Sequence, residues 1–107
     1  MNKSSNFGLP FLHQNQAMKE IVVNEALNLI DGLLFNSIIA TVDVLPAAPV
    51  ERSLYIVKGS SESLKDKPKY LALYLNDKWQ FIKPQNGMTI FDRQKGKISW
   101  FNGTDWQ

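Results

Sequence analysis

Trp79 and Trp106 each follow a short polar turn, Asn76-Asp77-Lys78 in one case and Asn102-Gly103-Thr104-Asp105 in the other. An aromatic ring carried beside amides and carboxylates is the chemistry that holds a sugar, with the ring face against C–H groups and the polar groups against hydroxyls. Trp79, Trp100, Asn102, Asp105 and Trp106 are therefore the candidate glycan-binding residues. Trp79 and Trp100 also fit core positions, because each belongs to a segment of alternating pattern. Trp106 fits either role.

Catalysis has less to draw on. Ten carboxylates are present, but Asp43, Asp77, Asp92 and Asp105 fall at strand ends or turns, where turn chemistry accounts for them. Glu25 and Asp31 fall on the polar side of a helical stretch, as a cap or a solvated face. The single histidine, His13, excludes any mechanism needing two imidazoles and reads as a surface or interface residue. With no cysteine there is no disulfide, thiolate zinc site or cysteine nucleophile. No glycine-rich phosphate loop follows a strand, and neither a histidine–carboxylate metal spacing nor a nucleophile elbow occurs. The expectation is a protein that is not an enzyme, with no catalytic residues, no metal and no cofactor.

Basic residues collect in the second half: Lys58, Lys65, Lys67, Lys69, Lys78, Lys83, Arg93, Lys95 and Lys97. Tyr55, Tyr70, Tyr74, Trp79, Phe81, Trp100 and Phe101 lie among them, so a sheet that stacks bases is one reading. The other is that edge and loop lysines keep a β-rich protein soluble. A net charge of +2 favours the second, and nucleic acid is not the expected partner. At 107 residues, 44% apolar and 21% charged, the chain has the length and composition of one globular domain. No stretch approaches the roughly 20 apolar residues that cross a bilayer, and the polar start lacks the apolar segment of a signal peptide. Neither membrane insertion nor general secretory export is expected.

The elements that position these residues follow from their periodicity. Met1–Leu12 reads as a flexible tail stopped by Gly8-Leu9-Pro10 and ordered only near Phe11. The start of the helix is ambiguous between Gln14 and Asn24. The β-branched run Ile21-Val22-Val23 favours the later start, giving a helix over residues 25–35 with Asn24 as N-cap. Its apolar residues Ala26, Leu27, Leu29, Ile30, Leu33 and Leu34 form a stripe wide enough for a sheet, a neighbouring subunit or both. From Ile38 the period becomes two. Strands are expected over residues 38–44, 53–58, 69–75, 79–82, 88–91 and 97–101, separated by turn chemistry. Residues 59–68 read as a charged loop. A faint echo relates residues 75–80 to 101–107, each a turn that delivers a tryptophan.

Several blocks resemble one family. They are Pro10-Phe11-Leu12 with Gln14, Gln16 and Lys19, and Val23-Asn24-Glu25-Ala26-Leu27 with Leu29 and Asp31. Pro46-Ala47-Ala48-Pro49, Leu54-Tyr55-Ile56-Val57, Trp79-Gln80-Phe81 with Pro84 and Gly87, and Asn102-Gly103-Thr104-Asp105-Trp106 continue the match. Together they resemble the domain of unknown function 2793 family of alphaproteobacterial prophage tail proteins and gene transfer agents. The chain departs from that pattern at Glu20, where a histidine is usual. It departs again at the 59–68 loop, where a glycine-rich stretch with tryptophan is usual, and at Met88, where tryptophan is common. The resemblance carries over no catalytic residue. It implies a module of a phage-like particle, made in the bacterial cytoplasm and built into a virion tail fibre or spike. Such modules are commonly symmetric homo-oligomers, often trimers, that contact other tail or spike proteins and cell-surface polysaccharide.

The expected fold is α+β: one N-terminal helix packed on a small antiparallel sheet of β-hairpins with about six short strands. Residues 1–12 form the tail and 13–107 a single domain. The expected function is structural and attachment, with oligomerisation through Ala26, Leu29, Ile30 and Leu33 and a glycan on the sheet. A free-standing carbohydrate-binding module is the alternative, and a nucleic-acid-binding domain the third.

Overall fold

The structure is a computed structural model that describes residues 3, 4, 6–10 and 18–107, with side chains described from residue 23 within the helix. The expectations for Phe11, Leu12, His13, Gln14 and Gln16 lie outside the described residues, as do the side chains of Lys19 and Glu20. The chain divides into two compact units, Met1–Phe35 and Asn36–Gln107.

The first unit contains helix α1, Met18–Leu34. The later start at Glu25 is thereby corrected: Ile21, Val22 and Val23 are helical, and Asn24 lies inside the helix rather than capping it. β-branched residues cost only a few tenths of a kcal/mol each in a helix, which the strong formers around them offset. Part of the segment expected as a flexible tail also has defined structure. Lys3 bridges Pro10, and the Ser4 amide and hydroxyl bond to the Leu9 carbonyl and amide. The loop so closed delivers the Asn6 and Phe7 amides to the two carboxylate oxygens of Asp31, each at 2.8 Å. Asp31 is fully buried, so its expected place on a solvated helix face is corrected too. A buried carboxylate needs such donors, and these two backbone amides supply one to each oxygen.

The second unit holds seven strands among the described residues: β1 (Ser37–Ile38), β2 (Thr41–Val42), β3 (Leu54–Val57), β4 (Leu71–Leu75), β5 (Lys78–Ile82), β6 (Thr89–Asp92) and β7 (Lys97–Trp100). They form two sheets, ordered β1-β6-β7 and β2-β3-β4-β5. The fold is α+β with its helix at the N-terminal end. Two features differ from a single hairpin sheet. β1 and β2 pair parallel to β6 and β3, while the other pairs are antiparallel. The strand expected over residues 38–44 is two pieces that belong to different sheets. The change falls at Ile39, whose amide reaches the Leu54 carbonyl, whereas Arg93 donates its amide to Ile38. A run of β-branched residues fixes an extended backbone but does not name its hydrogen-bonding partner.

Local turn chemistry sets the antiparallel registers. Asn76 and Asp77 both take positive φ, 53° and 62°, and so join β4 to β5 in the left-handed geometry that matches strand twist. Asp92 Oδ1 accepts the Gln94 and Lys95 amides and closes the β6–β7 turn. One face of the four-stranded sheet buries Leu54, Ile56, Leu71, Leu73 and Leu75. On the other, Val57 and Ala72 pack with Leu64, and Leu45, Trp79 and Phe81 cover them. Leu64 comes from a 3₁₀ turn, Glu62–Leu64, inside the loop that reads as charged. The loop folds back at its base, where a Cβ on Gly59 would stand 2.6 Å from Pro68 Cα. No helix among the described residues is long and apolar enough to cross a membrane.

Candidate functional site

The hairpin after β7 builds one wall of a pocket. Phe101 bridges Trp106 across a turn in which Asn102 Oδ1 accepts the Thr104 and Asp105 amides at 2.9 and 2.8 Å. Gly103 takes φ 97°, which an L side chain would resist. Lys69 fastens this turn to the sheet. Its ammonium reaches the Asp105 carboxylate and the Thr104 carbonyl, while its own carbonyl accepts Trp106 Nε1 at 2.9 Å. Lys69 is itself held in the left-handed region, φ 70°, with its amide on the Val57 carbonyl. The opposite wall is the open end of the β4–β5 hairpin, where Tyr70 precedes β4 and Lys83-Pro84 follows β5.

Between these walls lies an open pocket of about 390 Å³ lined by Pro68, Lys69, Tyr70, Lys83, Pro84, Phe101, Gly103 and Thr104. That volume is at the small end of ligand pockets. Its apolar residues are Pro68, the half-buried Tyr70 and the buried Pro84 and Phe101, and its polar groups come from Thr104 and the two lysines.

The five residues expected to hold a glycan are not brought together. Trp79 lies on the four-stranded sheet, its ring 5.1 Å from Tyr74 and 6.0 Å from Tyr55, and helps cover the second core cluster. Trp100 is 48% exposed on the outer face of the three-stranded sheet, the face that also carries Phe91 and Ile98. Asn102, Asp105 and Trp106 do share one turn, but as its fastenings: a turn acceptor, an ion pair, and an indole packed 5.3 Å from Phe101. The residues that line the pocket beside them, Tyr70, Lys83 and Thr104, are absent from the sequence-derived set. A register count from the Asn76-Asp77 turn pairs Leu71 with Ile82 and so sets Tyr70 opposite Lys83, which is the signal that finds them.

The basic set is dispersed. Lys65 pairs with Glu62, Lys67 with Asp66, and Lys67 also stands over the Phe81 ring at 5.3 Å. Tyr55, Tyr74, Trp79 and Phe81 share a face that is half-buried rather than open to stacked bases. Among the described residues no group of three or more histidines, cysteines and carboxylates is placed to hold a metal ion.

On α1 the expected interface residues divide. Ala26 and Ile30 are exposed, and Leu29 and Leu33 are half-buried. The exposed line runs through Val23, Ala26, Ile30 and Leu34, with Leu27 and Leu33 on its flanks.

Residues 23–107 match a family described as a protein of unknown function, domain of unknown function 2793. The chain belongs to that family. The matched span runs from Val23 in α1 through the whole second unit, so it includes the pocket and the exposed helix line. No curated protein matches the chain.

Proposed function

We propose that the chain is a non-enzymatic structural and attachment module of a phage-like tail fibre or spike, a homo-oligomer joined along α1 that holds a cell-surface glycan. The observation that carries this reading is the uncovered apolar line on α1, where Val23, Ile30 and Leu34 are 39%, 49% and 56% exposed. A contiguous apolar stripe left open to water marks a contact surface. With Val23 and Ile30 at d positions and Leu27 and Leu34 at a positions, its spacing is that of a coiled-coil seam, and β-branched residues at d with leucine at a disfavour two strands relative to three or four. The line carries no charge, so a second copy presents the complementary surface and closed symmetry follows. Of these, a trimer is the form the family resemblance implies. The particle context rests on the resemblance of the Val23–Leu27 block and the later hairpins to prophage tail and gene transfer agent proteins.

Sedimentation equilibrium of the wild type and of an Ile30→Asp, Leu34→Asp double variant tests the assembly. The wild type is expected to sediment as a closed oligomer and the variant as a folded monomer. An oligomer that survives both aspartates removes α1 as the interface. The pocket beside Lys69 favours a second reading, a free-standing carbohydrate-binding module, for which the wild type sediments as a monomer.

A further inference from the structure

The residues that line the pocket are unbalanced in charge. Lys69 and Lys83 both face it, and no carboxylate does. Lys69 is spoken for, since its ammonium bonds Asp105 and the Thr104 carbonyl. Lys83 is exposed and makes no ion pair among the described residues. The other groups are two aromatic rings, Tyr70 and Phe101, and Thr104. A bound molecule is thus offered one uncompensated cation, the half-buried Tyr70 ring and Thr104, the last on a turn that Lys69 and Asn102 already fasten, while Phe101 is buried and adds little open surface. That fastening matters here, because a site that needs less ordering loses less of its binding free energy.

We infer that this pocket takes an acidic sugar of the hexuronic class, its carboxylate on the Lys83 ammonium and its pyranose ring against Tyr70. This rests on the glycan-attachment reading and adds to it the sign of the ligand's charge and its place on the fold. A neutral sugar leaves the Lys83 charge unanswered, whereas a uronate gains a charge-assisted hydrogen bond. The pocket's volume limits direct contact to one or two sugar units of a longer chain.

Isothermal titration of the full chain with a glucuronic-acid tetrasaccharide and with a neutral glucose tetrasaccharide tests the inference. The acidic ligand is expected to bind at least about tenfold more tightly, with added salt removing most of that advantage. Lys83→Gln should abolish the preference by bringing the acidic ligand down to about the affinity of the neutral one. Tyr70→Ala should weaken both ligands, and Lys78→Gln, at the far end of β5, should change neither. Thermal melting checks that each variant is folded. Equal affinity for the two tetrasaccharides overturns the acidic ligand while glycan attachment survives. An acidic preference unmoved by Lys83→Gln overturns the assigned pocket. No binding of either sugar overturns both the inference and the glycan part of the function.

Discussion

Asp31 shows how much one side chain changes between sequence and structure. On a helical projection it opposes the apolar stripe and reads as solvated, yet it is buried with the Asn6 and Phe7 amides on its oxygens. Nothing in the local pattern announces this, because the donors arrive from residues two dozen positions away. Asp31→Ala leaves those two amides without their acceptor, so urea denaturation should show a loss of about 1–3 kcal/mol, and amide exchange at Asn6 and Phe7 should quicken. Asp31→Asn retains one acceptor and should lose less. Trp106 has a comparable history. It reads as a sugar platform, and the structure uses it as a peg, its indole N–H on the Lys69 carbonyl and its ring on Phe101. Trp106→Phe should cost about 1 kcal/mol for the lost hydrogen bond, and Trp106→Ala about 2–3 kcal/mol with the lost packing. Any ligand effect of Trp106→Ala is therefore read beside its stability. Tyr70 and Lys83 report on binding more directly.

At the scale of elements, what is local was legible and what is long-range was not. The β4–β5 hairpin was expected from Asn76-Asp77-Lys78, and the structure places both turn residues at positive φ. Left-handed backbone disfavours ordinary side chains by roughly 1–2 kcal/mol, with Asn and Asp the tolerated exceptions and glycine exempt. Asp77→Ala should accordingly lower stability by about 1 kcal/mol, and Asp77→Gly should raise it, both measured as shifts in the urea midpoint at unchanged slope. The β6–β7 turn was legible for the same reason, since Asp92 closes it within four residues. The division of residues 38–44 between two sheets was not legible, because β1 and β2 find partners in β6 and β3 that no turn connects to them. The pocket belongs to this second class. Its walls are the end of one hairpin and the turn of another, joined by Lys69, and only the register of β4 with β5 was within reach of the sequence.

For the whole molecule, the α+β class and the family were both legible, the first from the change of period at Asn36 and the second from blocks that the matched span contains. The wide apolar stripe expected of α1 is present, and its uncovered part is narrower and displaced toward Val23 and Leu34. Of the expected contact residues Ala26, Leu29, Ile30 and Leu33, the exposed line keeps Ala26 and Ile30, while Leu29 and Leu33 are half-buried. This leaves the central proposal unchanged, that the chain completes its apolar burial by meeting copies of itself. Light scattering on a sizing column, run on the full chain over a hundredfold range of concentration, addresses that claim most directly. A constant mass of three chains is the expected result. A single-chain mass at every concentration would contradict it and would leave the pocket, not the helix, as the seat of function.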